Sequence, residues 1–482
     1  MTGGARRRSP LTGSAGVSFH RTSVRPVERV VDLSVPIYEG MPVDDLGPKF
    51  WVRLSHAASR PLYQHTQSRE GRVFLTTDHV GTHLDGPLRF DPMGASVEQL
   101  PLDRVIRPAR VLDVRGIGRG QAIGPRELER AGADLEPGDA AVLWTGHDLH
   151  LTSPDYFWHR PRLGIDGAEW LVHHQAGLVA ADFPGLGPPG DDRYEVKRAL
   201  HRGGCLTVEQ LTGLAPLAAV RWHLAACPLR IRGTAGSLIR AAALVGFGGR
   251  EIVDLSLDIY PGMTALGGAV PTFWSRASHE LTAFFYKNEL SYQTTSMLLS
   301  EHAGTHIDSP YHFDPDGVAI EGMPLDTLFA RARMLDLRGK QPLEGIGPED
   351  LDAAMRRLGE AIAPGDAAVV WTDHSRNYER PDYTYHRPFI TAEGAAWLAA
   401  RRPGLVATDL VGLDEPADHV TPVHNCLLRA GIPQLQVLTN LARLAGRQAY
   451  VAAFPLKLVG GTGSPLRAFA VLVQGEGSEA RR

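Results

Sequence analysis

Two segments of the chain carry histidine and aspartate at the same spacing, and both side chains are common metal ligands. The second segment, residues 302–312, reads HAGTHIDSPYH and offers His302, His306 and Asp308. The first segment, residues 79–89, reads HVGTHLDGPLR. Imidazole nitrogen and carboxylate oxygen suit zinc, manganese or iron. The spacing therefore predicts a metal site in the second segment and a related ligand set in the first.

The two segments differ at their last position. The second ends on His312, whereas the first, which offers His79, His83 and Asp85, ends on Arg89. An imidazole beside a metal can take or give a proton, but an arginine keeps its charge and opposes the binding of a cation. The difference predicts that the second copy kept the chemistry and that the first lost part of it.

The residues between the ligands decide whether the side chains can meet. In a regular strand His302 and His306 would lie roughly 13 Å apart, too far to share one ion. Gly304 permits a sharp bend, the hydroxyl of Thr305 can tie it, and Pro310 fixes the exit of the chain. With such a bend the three ligands form one face of a metal and leave positions open for water and substrate, as in a catalytic site.

The repeat extends well beyond these segments. Residues 32–41 match 254–263, and residues 137–145 match 364–372, always in the same order. A period above 200 residues indicates two copies of a whole domain, because solenoids repeat every ~20–50 residues. Two subunits that once met about a two-fold axis and became one chain are the economical explanation, which predicts an intramolecular pseudo-dimer.

The domain boundaries follow from the repeat and from local composition. A glycine-rich joint at residues 246–250 separates the copies. We expect an N-terminal domain over residues 29–248 and a C-terminal, catalytic domain over residues 249–475. The polar ends, residues 1–28 and 476–482, are expected to be disordered tails.

Hydrophobic patterning indicates an α/β fold in each copy. Short apolar runs predict buried strands at residues 140–144, 367–371 and 405–408. Helices are predicted over three further segments, two of which open with proline and acidic residues: 125–130, 348–356 and 394–401.

Composition excludes several classes of protein. The 482 residues carry a net charge of −4, which gives no basic field for nucleic acid. Three cysteines, Cys205, Cys227 and Cys426, lie far apart, so neither a disulfide framework nor a thiolate zinc site is expected. Apolar stretches are too short for a signal peptide or a membrane span, and we expect a soluble, cytoplasmic protein.

With these residues in place, the chain resembles the metal-dependent cyclase and kynurenine-formamidase-like hydrolases. Residues 302–312 reproduce the signature HxGTHxDxPxH of that family in full. The Asp-Leu-Ser opening at residues 254–256 is similar as well, and so are residues 424–431, 436–441 and 463–467. The resemblance covers nearly the whole chain after the N-terminal tail, twice over.

The resemblance implies a swivelling β/β/α fold in each half, with a divalent metal that serves a reaction on a carbonyl group. His302, His306 and Asp308 would be metal ligands, His312 would act as acid or base, and His424 would be a further ligand or catalytic group. Formamidase-like members with two zincs have a glutamate at the position of Gln436. A neutral amide there resembles the isatin-hydrolase branch instead, so one ion, Zn²⁺ or Mn²⁺, is expected, with Gln436 among the candidate metal residues.

The first copy departs further from the family pattern. Residues 195–197 stand where the second copy has His424, and Glu209 aligns with Gln436. His79, His83, Asp85 and Glu209 thus form a vestigial ligand set without an evident general base. We expect this half to be structural or to shape the substrate pocket.

The resemblance also suggests that Phe273 and Trp274 form a wall of the substrate pocket, although aromatic side chains at this position are equally typical of a core. The chain contains no Gly-x-Ser-x-Gly elbow, which disfavours a serine hydrolase.

The leading hypothesis is a metal-dependent hydrolase of a cyclic or acyl amide or ester, such as a formamide, lactam or lactone. Two alternatives remain: a polyketide-type cyclase that uses the metal as a Lewis acid, and a metal-stabilised binding protein. The expected partner is a small-molecule carbonyl substrate, without nucleic acid or membrane, and a homo-oligomer of the whole chain stays open.

Overall fold

The computed structural model describes residues 25–44, 46–132, 134–249, 251–263 and 270–473. Most of the predicted N-terminal tail, all of the C-terminal tail and Arg250 of the predicted joint lie outside these residues. Residues 25–28 differ from the expected tail, because Val27 is fully buried and Arg25 forms an ion pair with Asp326 of the other half. An apolar residue at position 27 secures the chain to the core here.

The first half contains thirteen strands within the described residues. In chain order they are β1 (Arg29–Asp32), β2 (Lys49–Leu54), β3 (Gly71–Thr77), β4 (His83–Asp85), β5 (Ile106–Asp113), β6 (Ala122–Ile123), β7 (Ala140–Trp144), β8 (Arg162–Leu163), β9 (Leu178–Ala181), β10 (Leu206–Glu209), β11 (Trp222–Ala225), β12 (Gly236–Leu238) and β13 (Ala242–Val245). Nine of them form one sheet in the order β1-β13-β11-β5-β7-β9-β10-β4-β12. Its centre, β5-β7-β9-β10, is parallel.

The second half repeats this arrangement strand for strand. The described strands are β14 (Glu251–Asp254), β15 (Thr272–Ala277), β16 (Thr294–Ser300), β17 (His306–Asp308), β18 (Phe329–Asp336), β19 (Gly345–Ile346), β20 (Ala367–Trp371), β21 (Phe389–Ile390), β22 (Leu405–Thr408), β23 (Gln434–Gln436), β24 (Gln448–Ala452), β25 (Gly463–Pro465) and β26 (Phe469–Val473). Its sheet runs β14-β26-β24-β18-β20-β22-β23-β17-β25, which is the order of the first sheet. Two tandem domains of one α/β fold are therefore present, as predicted.

Helices cover one face of each sheet. The described helices are α1 (His56–Ser59), α2 (Leu102–Val105), α3 (Pro125–Ala131), α4 (Ile165–His173), α5 (Glu195–Arg202), α6 (His279–Phe285), α7 (Pro348–Leu358), α8 (Ala392–Ala400) and α9 (Pro422–Arg429). Every residue of β7 and β20 is buried, because these central strands are covered on both faces. The three strands and three helices predicted from patterning are all present, with helix ends that shift by up to two residues.

The two halves share a core and a sheet. One cluster of buried apolar side chains runs from Val27 to Leu472 and draws on both halves, whereas each helical face has a smaller cluster of its own. A hairpin from each half joins a four-stranded sheet, β15-β16-β3-β2, in which β16 and β3 run antiparallel. Leu75 faces Leu298, its own equivalent, so the pseudo-two-fold axis passes between these residues. The intramolecular pseudo-dimer is confirmed.

Among the described residues, no helix combines the length and the apolar character needed to cross a bilayer.

Candidate active site

The ligand-bearing strand of the second half is short and lies inside the sheet. β17 pairs with β23 on one side and with β25 on the other, and His306 faces Gln436 across the first pairing. Alternate residues of a strand point to the same face, so His306 and Asp308 project together. Both side chains are buried.

A turn before β17 brings His302 to the same place. Gly304 has a φ of 62°, in the left-handed region that glycine adopts without steric cost. Thr305 does not tie the turn to itself as expected. Its hydroxyl donates to the carbonyl of Val437 at 2.7 Å and accepts the N–H of Leu257 at 3.0 Å, which anchors the turn to two other segments.

The three predicted ligands converge. His302 Nδ1 lies 2.6 Å from Asp308 Oδ1, and His306 Nε2 lies 3.4 Å from the same oxygen. One donor atom from each residue falls within 4.8 Å of the other two. The donor set therefore fits a single divalent cation bound by two imidazoles and a carboxylate.

Hydrogen bonds orient these ligands, and neighbouring charges shift their pKa values. His306 Nδ1–H donates to the carbonyl of Gly304 at 2.8 Å, which leaves Nε2 facing Asp308. Burial raises the pKa of Asp308, but the charges and hydrogen bonds of His302 and His306 outweigh burial and hold that pKa well below its usual value. Asp308 is thus an anion in the site. Burial lowers the pKa of His302, but Asp308 reverses the effect and raises it.

His312, the predicted acid or base, sits against His302 in a short 3₁₀ turn, Pro310–His312. The two imidazole rings have centroids 4.4 Å apart. His312 Nδ1–H donates to the carbonyl of Glu70, a residue of the first half, so its Nε2 is free to accept a proton. Burial, with the charge of His302, lowers the pKa of His312 well below its usual value and keeps it neutral near pH 7.

His424 and Gln436 complete the cluster. His424 Nδ1–H donates to Asp414, and its Nε2 lies 3.5 Å from Asp308 Oδ2. The Gln436 oxygen accepts the N–H of Gly412 at 2.8 Å, so its amide nitrogen faces Asp308 at 2.7 Å. In this arrangement Gln436 acts as a donor toward the carboxylate, and its role as a metal residue stays a prediction.

The cavity around these residues has a volume of about 330 Å³ and belongs to both halves. The first half contributes Arg53, Leu54 and the segment 69–72 to its lining. Phe273 and Trp274, the predicted pocket wall, do not line it: Phe273 packs against the shared core and Trp274 is 44% exposed. The reason is the strand exchange, because β2 of the first half takes the place that β15 was expected to fill.

The equivalent place in the first half holds a different set of charges. His79 lies between two carboxylates, 2.6 Å from Asp78 and 2.9 Å from Asp85. Lys197 from α5 points its ammonium at Asp85 and Glu209. Burial lowers the pKa of Lys197, but the two carboxylates outweigh burial and raise it, so this side chain is a cation.

The rest of the vestigial set follows the repeat. His83 and Glu209 are register partners, as His306 and Gln436 are in the second half. His83, Asp85 and Glu209 present donor atoms within 4.8 Å of one another. Arg89 is buried where His312 stands in the other half, and its Nη1 donates to the carbonyl of Gln293 at 2.7 Å.

Three groups at these sites were missed from the sequence. Lys197 stands at the position of His424, but a lysine at this position of the sequence does not by itself indicate that its charge reaches the ligand set. The carbonyl of Glu70 gives no sequence signal, because any residue supplies a carbonyl. Asp414 lies ten residues before His424, and only the loop between β22 and α9 brings the two together.

Comparison with known proteins agrees with this geometry. The model of a family described as putative cyclase matches residues 31–188 and 253–415, which together make about two thirds of the chain. The chain belongs to this cyclase family. The two matched segments fall in the two halves, which bears out the duplication.

Individual relatives match somewhat less than half of the chain but most of their own length. A kynurenine formamidase from Salinibacter ruber is 32% identical over 225 residues, covering 45% of this chain and 95% of that enzyme. A kynurenine formamidase from Bacillus mycoides is 29% identical over 182 residues, covering 38% of this chain and 81% of that enzyme.

Among solved structures, isatin hydrolase A from Labrenzia aggregata bound to benzyl benzoate is 25% identical, with a TM-score of 0.41. That match covers 46% of this chain and 94% of the other. From the family, the curated relatives and the ligand cluster, this cyclase-family chain is a metal-dependent hydrolase.

Proposed function

We propose that the second half hydrolyses an amide or ester bond of a small molecule, with one divalent cation held by His302, His306 and Asp308. The observation that carries the proposal is the convergence of these three donors beside His312 in one cavity. Relatives named kynurenine formamidase support an amide, and a formamide in particular, over a lactam or a lactone. We propose Zn²⁺ or Mn²⁺ as the ion, because imidazole and carboxylate suit both.

Most of the proposed mechanism concerns proton transfer by His312. A bound divalent cation would supply a Lewis acid and lower the pKa of a coordinated water. His312 Nε2 accepts a proton from the attacking water, because Nδ1–H is committed to the Glu70 carbonyl. The same nitrogen then returns the proton to the leaving nitrogen or oxygen. The lowered pKa of His312 keeps the ring neutral before this step.

Gln436 orients the carboxylate of Asp308, and Asp414 orients His424. Asp414 fixes the tautomer of His424 and turns its Nε2 toward the site, which is the usual way a second carboxylate prepares a histidine for a metal or a substrate. The amide N–H of Gln436 holds Asp308 Oδ2 at 2.7 Å. We propose that His424 either binds the ion or hydrogen-bonds the substrate.

The cavity fits a substrate with an aromatic or apolar body. Its volume of about 330 Å³ lies at the lower end of small-molecule sites. Phe313, Tyr378, Tyr383 and Val411 supply apolar surface, and Arg69 of the first half adds a positive charge to the lining. In this proposal residues 249–475 form the catalytic domain and residues 29–248 complete its pocket.

The first test is His312→Ala, with Arg89→Ala as its matched control at the equivalent position of the first half. We expect His312→Ala to lower kcat by roughly 10²–10⁴-fold, as for loss of a general base or acid. Metal content by elemental analysis should stay at the wild-type value. Arg89→Ala should keep turnover. Unchanged turnover in His312→Ala would remove this residue from the mechanism.

A second measurement separates hydrolysis from cyclisation. Turnover of a panel of aryl formamides, lactams and lactones in oxygen-18 water should place one labelled oxygen in the carboxylate product. A product that forms without labelled oxygen from water would instead favour a cyclase that uses the cation as a Lewis acid.

A further inference from the structure

The ligand set of the first half already holds a cation, and that cation is a side chain. Lys197 Nζ lies 2.8 Å from Asp85 Oδ2 and 2.6 Å from Glu209 Oε1. Its side chain is buried, with 8% of the residue exposed. We propose that the Lys197 ammonium is a built-in cation that occupies this site in place of a metal and excludes a divalent ion from it. This inference does not depend on the reaction proposed for the second half.

The position of Lys197 in the fold supports this inference. α5 and α9 occupy equivalent places, and Lys197 and His424 are both the third residue of their helix. Val196 and Leu200 bury the same face of α5, so the helix is held against the sheet and directs Lys197 into the site. The lysine stem carries its charge to within 2.8 Å of Asp85 and 2.6 Å of Glu209, whereas the shorter His424 places Nε2 3.5 Å from Asp308.

The residues around Lys197 and His424 also differ, and each set suits its own side chain. In the second half Asp414 holds His424 Nδ1 and turns Nε2 toward Asp308. The first half has Gly187 at the position of Asp414, so this partner is missing. The first half also has Glu209 where the second has Gln436. A buried ammonium is stabilised by two carboxylates and, unlike an imidazole, has no tautomer for a partner to fix. The first half supplies the two carboxylates, Asp85 and Glu209, and lacks the partner.

A divalent ion would compete for the same oxygens. Asp85 Oδ2 and Glu209 Oε1 face the ammonium, and Glu209 Oε2 accepts the N–H of Gly185 at 2.7 Å. His79 Nε2, His83 Nε2 and Asp85 Oδ1 remain, with Asp85 Oδ1 2.9 Å from His79 and 3.8 Å from His83. A metal bound to these three atoms would sit beside the ammonium and be repelled by it with little screening, because the site is buried. The donor geometry alone is suitable for a metal, but the charge already in place is not.

A cavity lies in front of this ligand set. It has a volume of about 370 Å³, and its lining includes both cations and carboxylates: Arg89, Arg160, Lys197, Asp44, Asp78, Asp191, Asp192 and Glu209. Arg89 is 4% exposed and keeps a permanent charge near His79. The first half thus retains a pocket of catalytic size without an open Lewis acid.

The test counts metal in a chain whose second-half site has been removed. In the His306→Ala background we expect about zero Zn²⁺ or Mn²⁺ per chain after dialysis against either ion, and about one after the further change Lys197→His. His83→Ala added to that variant should abolish the gained ion. Arg202→His, on the exposed end of the same helix, adds a histidine without touching the site and should gain none.

A second variant keeps the test independent of folding. Lys197→Met retains the unbranched stem but removes the charge, and it should also admit about one ion per chain. Circular dichroism and melting temperature, with and without Zn²⁺, report whether each variant is folded and whether the ion stabilises it. A rise in melting temperature with Zn²⁺ that appears only after Lys197 is changed would support the inference.

Two results would overturn the inference. The first is a His306→Ala chain that still holds an ion which His83→Ala removes, since Lys197 would then not exclude the metal. The second is a folded Lys197→His and a folded Lys197→Met that both gain none. Failure of the metal site proposed for the second half would give a different result. In that case His306→Ala alone would leave the metal content at the wild-type value.

Discussion

The two halves of the chain have the same backbone conformation at their sites, but they place side chains of different charge there. Gly81 and Gly304 make the same turn, with φ of 60° and 62°. The strands that follow lie between equivalent neighbours in their sheets. At the helix position above them, one half presents Lys197 and the other His424. A duplicated fold can therefore keep its geometry while one side chain decides whether the site takes a metal.

A second comparison concerns what each half gives to the other. The carbonyl of Glu70 accepts from His312, and the carbonyl of Gln293, its equivalent, accepts from Arg89. His56 and His279 reach across in the same way, to the carbonyls of Tyr311 and Leu88. The half without an evident base therefore still contributes to the pocket of the half that has one.

The largest expected difference between the halves is the effect of removing the aspartate. Asp308→Ala should lose the bound ion and lower turnover at least roughly 100-fold, since even outer-shell partners of a metal cost up to this much. Asp85→Ala should keep metal content and stay within about tenfold of wild-type turnover. Its cost should appear in stability, because removing one partner of a buried ion pair leaves a charge uncompensated, at a cost of about 3–5 kcal/mol.

These two variants are compared by elemental analysis, steady-state kinetics and urea unfolding. Asp85→Ala should lower the urea midpoint. If Asp85→Ala released metal and abolished turnover as Asp308→Ala does, the two sites would be alike and the comparison would fail.

The fold could be predicted from the sequence because each pattern that indicates a strand or a helix occurs in both copies of the repeat. The runs that predict β7 and β20 are buried strands with the same neighbours. The ligand spacing predicted the meeting of His302, His306 and Asp308, because a strand directs alternate residues to one face and Gly304 provides the turn.

The parts of the site that could not be predicted come from the other half. The family resemblance suggests Phe273 and Trp274 as a pocket wall, but the hairpins that carry these positions cross between the two domains. Arg53 and Leu54 therefore line the cavity instead. Local patterning gives no information on which copy of a strand covers which site, because that choice depends on contacts more than 200 residues apart.

A smaller effect is expected from the histidines that cross between the halves. His56 Nε2–H donates to the carbonyl of Tyr311 at 2.8 Å and its ring packs edge-on against the Tyr311 ring. His56→Ala should lower kcat roughly tenfold, because one hydrogen bond of about 1–1.5 kcal/mol no longer holds the turn before His312. KM should change less.

The matched control for His56→Ala is His279→Ala, which removes the mirror contact to Leu88 in the first half. Both variants lose a similar bond at the interface, so their melting temperatures should fall by similar amounts. Only His56→Ala should lower turnover. Equal losses of turnover in the two variants would show that these contacts act through overall stability. The contact of His56 would then have no specific effect on the site of the second half.

The smallest expected effect is a shift, to lower pH, of the acid limb in the pH profile of kcat/KM. The pKa of His312 lies well below its ordinary value of 6.5, because burial and the charge of His302 both disfavour the protonated ring. The base form therefore persists below pH 6.5, and kcat/KM should fall only at lower pH. The first half has Arg89 at this position, and a guanidinium cannot serve as the neutral base that an imidazole provides.

This limb must be separated from loss of the ion, because protonation of the ligands also releases a metal at low pH. Metal content is therefore measured at each pH, and the residual activity of His312→Ala should lack the limb where metal is retained. An acid limb at or above pH 6.5 in the fully loaded wild type would mean that a group other than a buried, neutral His312 accepts the proton. His424, whose Nε2 also faces Asp308, would then be the residue to exchange first.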